Sequence, residues 1–243
     1  MKPALTIVAR DLDDAWFSAL WACVERDENG FKFSQHYRID RGSYAGQERL
    51  EIDTCLIDIK YPGSGPLVPQ MPPGKEHLAP TTEEQATLYL SYLMTAQKQP
   101  NEQYTYGERL TDCQGVNQVE KVVEMYCRDG HNTNQATMEI GMPSDILLSD
   151  PPCLRLIDTR IRNDTLHFIV YFRSWDLYNG FPVNLAGLQL LKKYMADRIR
   201  VKDGSIRAIS KGLHLYDDMW EFASLRIGNS IGVSKETTSS AKR

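Results

Sequence analysis

The sequence predicts an α+β fold in a single domain, with a large mixed β-sheet flanked by helices. Three observations lead there. Strand-like and helix-like stretches follow one another without strict strand–helix–strand alternation. The 243 residues, 42% apolar and 25% charged, suit one large domain of ordinary globular composition. No internal repeat or low-complexity tract divides the chain.

Residues 5–9 are apolar enough for a short strand, and Asp11 or Asp13 can cap a helix over 14–26 with Trp16, Leu20 and Cys23 on one face. Residues 27–30 (Asp-Glu-Asn-Gly) make a turn, and 31–39 read as a strand. Residues 40–43 form a polar loop before a second strand over 50–59. Six prolines and three glycines between 61 and 80 exclude regular structure there. A helix follows over 83–97 with Leu88, Tyr89, Tyr92 and Leu93 inward, and another over 118–128. Residues 137–141, 154–160 and 166–173 read as strands, the last two joined by a hairpin turn at Asn163-Asp164. The longest apolar-periodic stretch, 185–199, reads as a buried helix; after Gly204 a strand over 205–209 leads to His214. The residues after Gly232 are polar and read as a mobile tail.

Charge and composition exclude several classes of function. A net charge of −4 and a pI near 5.8 argue against a general nucleic-acid-coating role, and no DNA partner is expected. No apolar run reaches the length of a membrane span, and the N-terminus lacks the pattern of a signal peptide. Five cysteines, an odd number without a CxxC pair, read as a reduced, cytoplasmic protein. The five histidines are scattered, so no metal site is expected; Cys23, Cys55, Cys113 and Cys127 fall in helix or strand patterns and read as structural.

Three segments carry chemistry. Cys153 follows Pro151 and Pro152 on a stiff segment that opens a strand; it is either a buried thiol or a nucleophile whose thiolate nearby arginines stabilise. Residues 172–184 place Arg173, Ser174, Asp176 and Asn184 between apolar runs. Arg173 and Ser174 suit an oxyanion, Asp176 suits a ligand's N–H groups, and the Asn184 amide can read a nucleobase edge; a plain polar loop with an Asp–Arg ion pair is the alternative. Alternation puts His214 and Tyr216 on one strand face, suited either to a hydroxyl-rich ligand or to water at a strand edge.

The combination Pro-Pro-Cys153, Arg173-Ser174-x-Asp176, Gly180-x-Pro182-x-Asn184 and His214-x-Tyr216 resembles the thymidylate synthase family. Asp40-Arg41-Gly42 is similar to the family's phosphate-loop arginine, and the run Tyr104 to Arg109 to its Tyr-Gly segment. Pro-Pro-Cys-Leu places the chain nearest the shorter archaeal-type branch, which shares its fold and first chemical steps with the pyrimidine-nucleotide hydroxymethylases. The resemblance implies a catalytic domain over 1–232, with sheets packed back to back in a homodimer.

It also implies residue roles. Cys153 attacks C6 of a pyrimidine nucleotide, and C5 then takes a one-carbon unit from 5,10-methylenetetrahydrofolate or a related methylene-tetrahydropterin, without a metal. Arg173, Ser174 and Arg41 hold the 5′-phosphate, and Arg173 and Ser174 help lower the thiol pKa. Asn184 reads uracil O4 and N3–H, His214 and Tyr216 hold the sugar 3′-hydroxyl, Asp176 contacts the pterin, and Tyr106 lines the pocket near C5. The general base falls on Glu84, with Glu83 next; both equally suit the first turn of a helix.

Three departures stand beside the match. Leu154 replaces the histidine of the main branch, and residues 133–136 lack the arginines that branch sends to its partner's phosphate, with Arg155 or Arg128 as substitutes. The polar tail cannot make an apolar lid. The expected reaction is methylation of dUMP to dTMP. The alternative is 5-hydroxymethylation of dUMP, dCMP or CMP, in which water replaces hydride, and a member that binds nucleotide or RNA without turnover is the non-enzymatic reading.

Overall fold

The computed structural model describes residues 1–229 and 231. It contains strands β1 (Leu5–Ala9), β2 (Arg26–Asp27), β3 (Gly30–Phe31), β4 (Ser34–Arg38), β5 (Glu48–Ile52), β6 (Cys55–Ile59), β7 (Thr137–Glu139), β8 (Leu154–Arg162), β9 (Thr165–Phe172), β10 (Trp175–Asp176), β11 (Lys202–Ser210) and β12 (Leu213–Tyr216). The α-helices are α1 (Leu12–Val24), α2 (Glu83–Leu93), α3 (Tyr106–Thr111), α4 (Gln118–Asp129), α5 (Gly180–Ile199) and α6 (Trp220–Ile227). A six-stranded mixed sheet runs β1-β6-β11-β9-β8-β7, and a four-stranded one runs β10-β12-β5-β4. The α+β reading holds. The tail expected over 233–243 lies outside the described residues.

The strand expected over 50–59 is two strands. β5 ends at Ile52, the chain steps through Asp53 and Thr54, and β6 continues in the other sheet. The buried positions change phase at the step, from Leu50 and Ile52 to Cys55, Ile57 and Ile59, so each sheet receives its own alternating set. The Asn163-Asp164 turn is as expected: both residues have positive φ, +50° and +54°, the geometry a two-residue hairpin demands.

β9 alternates strictly, burying Leu166, Phe168, Val170 and Phe172. Burial of each such side chain is worth about 2–3 kcal/mol. Helix α5 packs against β9 and β11. It begins at Gly180, five positions before the apolar run read from sequence. The Asp176 carboxylate accepts the N–H groups of Tyr178 and Asn179, holding the turn ahead of the helix, and Pro182 sits in the first turn, where no intrahelical donor is needed. Helix α1 starts two residues earlier than read, because Asp11 caps it by accepting the Asp14 N–H. In α2, Leu93 is buried and Tyr89 and Tyr92 are half-buried as expected, but Leu88 is 60% exposed and turns outward. Among the described residues no helix is long and apolar enough to cross a membrane.

Candidate active site

The ends of β8, β9, β10 and β12 and the loop after β4 converge on a cavity of about 550 Å³. It is lined by Arg41, Cys153, Arg173, Ser174, Asp176, His214 and Tyr216, all singled out in the sequence, together with Arg49, Tyr44 and the 149–151 segment. A second cavity of about 440 Å³ is walled by Tyr89, Tyr92, Tyr104 and Tyr106. The two meet at the cysteine segment: Tyr104 donates its hydroxyl to the Asp150 carbonyl at 3.2 Å, and Tyr106 accepts the Leu154 N–H at 3.2 Å.

Cys153 is half-buried and lines the first cavity. Its neighbour Arg173 is turned back onto the same segment, donating to the Pro151 and Pro152 carbonyls and pairing with Asp150 at 3.3 Å. The sequence reading expected arginine to lower the thiol pKa. Burial instead holds the thiol above its ordinary value; Arg173 pulls it down, while Asp150 and Asp176 oppose. Desolvation disfavours the thiolate more than one guanidinium favours it.

Arg41 is exposed on a loop whose turn needs Gly42 at φ +96°, and it has no ion-pair partner among the described residues. Arg49 was missed from sequence. It faces Tyr216 across the β5–β12 pairing and contacts Tyr37 and Glu51. The signal was the polar parity of Arg49 and Glu51 against Leu50 and Ile52, which is informative only once the neighbouring strand is known.

His214 and Tyr216 share one side of β12, with ring centroids 4.7 Å apart, and both are buried rather than at a wet edge. His214 Nδ1 lies 2.9 Å from the Gly212 carbonyl, so that nitrogen carries the proton. Its Nε2 is then a bare acceptor, buried and unpartnered. Burial first, then Arg49, lowers the imidazole pKa to about 3, so the ring is neutral. An unsatisfied buried acceptor beside a cavity is placed to take a ligand's hydroxyl proton.

Asp176 lines the cavity with a carboxyl raised above its ordinary pKa by burial. Asn184 is half-buried on α5 and is tied to Trp175 and, at 2.8 Å, to the Tyr89 hydroxyl that reaches in from the tyrosine cavity. Tyr106 stays protonated because burial raises its pKa far above the ordinary value.

Glu84 does not join these groups. It is exposed in the first turn of α2 and lines neither cavity, as does Glu83. The helix start drew both glutamates to the N-terminal turn. Arg155 also points elsewhere: it pairs with buried Asp145, which Arg109 holds at 2.9 Å from the other side. Arg128 pairs with Asp129 on the surface of α4. All five cysteines are free; Cys23 and Cys55 are buried as expected, but Cys127 is exposed and Cys113 lies in a tight turn. Among the described residues no group of three metal-ligating side chains comes together.

The molecule is thus an α+β protein whose cavity, at the ends of strands from both sheets, gathers a thiol, three arginines and a buried imidazole. The family profile described as thymidylate synthase matches residues 75–232, and the chain belongs to the thymidylate synthase family. A Methanosarcina barkeri protein provisionally described as a thymidylate synthase is 32% identical over 88% of this chain and 90% of its own length. Relatives with the same description from Methanococcoides burtonii and Methanosarcina mazei are 36% and 33% identical over 55% and 57% of the chain. The matched part spans 62% and 64% of those two relatives, somewhat under two thirds of their length.

Proposed function

We propose that this chain transfers a one-carbon unit to C5 of a pyrimidine nucleoside monophosphate, with dUMP converted to dTMP. The observation that carries the reading is the single cavity that places Cys153 beside Arg41, Arg49 and Arg173. A dianionic phosphate suits that set, because guanidinium groups grip oxyanions through paired N–H donors. Ser174 adds a hydroxyl. His214 Nε2 accepts the sugar hydroxyl proton that it otherwise lacks, with Tyr216 alongside. The carboxamide of Asn184 meets the base edge.

In this reading the Cys153 thiol gives its S–H proton to water in the open cavity, the thiolate sulfur forms a bond to C6, and the electron pair of the C5–C6 double bond moves toward C5 and O4, where the Asn184 N–H steadies the charge. A phosphate adds negative charge near the cysteine segment, yet it occupies the arginines at the same time. Arg173, bound to the carbonyls ahead of the cysteine, therefore fixes the sulfur's position as well as the nucleotide's. No proton is assigned to Glu84, which faces solvent.

The tyrosine cavity fits a flat methylene-tetrahydropterin: four aromatic walls open next to Cys153, and the Asp176 carboxyl stands at the neighbouring rim. That group supplies the one-carbon unit when bound. Tyr92, Tyr104 and Tyr106 would wall it, and Asp176 would take its N–H groups. The half-buried outer side of β9, with His167, Ile169 and Tyr171, lies away from the helices and supports a homodimer built sheet to sheet. The free cysteines support a reducing, cytoplasmic setting.

The test incubates the protein with C5-tritiated dUMP and methylene-tetrahydrofolate, then weighs the product. Tritium release with a product heavier by CH2 is expected. A product heavier by CH2O means hydroxymethylation, and absence of release from dUMP overturns the reading.

A further inference from the structure

Asn184 is held by two partners of different chemistry. The Trp175 indole Nε1–H donates to its Oδ1 at 2.9 Å, and its Nδ2 donates to the Tyr89 hydroxyl at 2.8 Å. An indole N–H can only donate, whereas a phenol hydroxyl donates or accepts as required. Tyr89 therefore tolerates either orientation of the amide, and Trp175 tolerates one. Turning the amide over would set Nδ2–H against Nε1–H at a buried contact, leaving two donors unsatisfied.

Trp175 is itself fixed. It is 1% exposed, stacked parallel on Phe172 at 3.9 Å and packed on Phe181 at 4.4 Å. Its backbone N–H bonds to the Gly212 carbonyl. The ring cannot rotate its N–H away without breaking that stack.

We infer that Trp175 is a positioning residue that sets the polarity of Asn184 and thereby the choice between uracil and cytosine nucleotides. One lone pair of Oδ1 and one hydrogen of Nδ2 remain for a ligand, in a fixed order. Uracil offers an acceptor at O4 beside a donor at N3; cytosine offers a donor at N4 beside an acceptor at N3. A fixed amide is complementary to one of these orders only, while an amide free to turn suits both. The inference rests on the nucleotide reading above and adds its source of discrimination, which lies one residue behind the base-reading amide.

The test measures calorimetric Kd values for dUMP and dCMP on the intact protein and three variants. Wild type should favour dUMP by about 100-fold or more, since a misplaced buried donor costs more than a lost contact. Trp175→Phe keeps the aromatic stack and removes the N–H; the preference should shrink by about 10-fold, chiefly through tighter dCMP binding. Tyr89→Phe should weaken both nucleotides alike and leave the ratio in place. Should Trp175→Phe fail to fold, benzothienylalanine at position 175 keeps the fused ring with sulfur in place of N–H, and the same narrowing is expected. An unchanged ratio in a folded position-175 variant, or a shift of equal size in Tyr89→Phe, overturns the inference. If wild type binds both nucleotides tightly and equally, the inference alone fails; if it binds neither, the nucleotide reading fails first.

Discussion

The backbone N–H of Arg173 donates to the carbonyl of Cys153 at 2.8 Å, where β8 and β9 leave their common ladder. Thiol and cation are thus joined through the main chain, and the side chain of Arg173 closes the same segment from the other side. The thiol's pKa is nevertheless held above its ordinary value by burial, with Arg173 the force that lowers it. Alkylation of Cys153 by iodoacetamide should accordingly rise with pH to a late inflection. Arg173→Gln should move that inflection upward and slow alkylation near pH 8 by about 10-fold, the size of a nearby-charge effect. Asp150→Asn should move it the other way. The other thiols give a background that Cys153→Ser defines, and an Arg173→Gln profile equal to wild type refutes the electrostatic coupling.

His214 makes stability depend on pH with a definite sign. Its folded-state pKa, about 3, lies below the ordinary 6.5, because burial excludes the charged ring. Below pH 6.5 the unfolded chain binds a proton that the folded chain refuses. The contribution is therefore complete above pH 6.5 and is lost as pH falls toward 3. Between pH 7.5 and 5.5 wild type should lose about 1.4 kcal/mol more stability than His214→Gln, one unit of displaced titration. Urea unfolding of both proteins at the two pH values measures it. Equal losses would place the proton elsewhere.

Gly187 is what lets Tyr89 reach Asn184. A Cβ at Gly187 would meet the Tyr89 ring, including Cε1 at 3.1 Å, inside the packing of α2 on α5. Gly187→Ala should displace the ring, break the bond to Asn184 and weaken nucleotide binding by about 10-fold, the worth of one buried hydrogen bond and its packing. A Kd for dUMP equal to that of wild type would show that the hydroxyl reaches Asn184 by another path.

Much of this was legible in residue order, and what was not has physical reasons. The chemistry-bearing residues of β8–β10 and β12 were found because they sit at strand ends, where polar residues interrupt apolar alternation. The break between β5 and β6 shifts the buried positions from even (Leu50, Ile52) to odd (Cys55, Ile57, Ile59), a change of phase masked in the sequence because Leu56 and Ile57 are both apolar. Helix α3 has six residues, too few to show a period; its signal was the cap, Thr105 accepting the Glu108 N–H three positions on. Glu84 offers the residue type at a helix start, but helix phase turns it to solvent while Tyr89, five positions later, faces Asn184. Arg49 depended on which strand lies beside β5, a tertiary fact.

One charge pair lies away from the cavity and bears on stability alone. Lys192 on α5 is fully buried and meets Asp203 and the Gly204 carbonyl of β11, with Gln189 also donating to Asp203. The contact coincides with the irregularity in the β11–β9 register between Asp203 and Ile206, so the ion pair joins the helix to the strand where the ladder is interrupted. Burial holds the Lys192 pKa below its ordinary value, and Asp203 offsets only part of that. Removing one partner leaves the other charge without compensation. Asp203→Ala should cost about 3–5 kcal/mol, whereas Lys192→Met with Asp203→Leu should be close to neutral, because well-packed apolar replacements remove both desolvation costs. Urea unfolding of the single and double variants decides: a double variant as unstable as the single one would show that the pair itself, and not relief from an unpaired charge, holds α5 on β11.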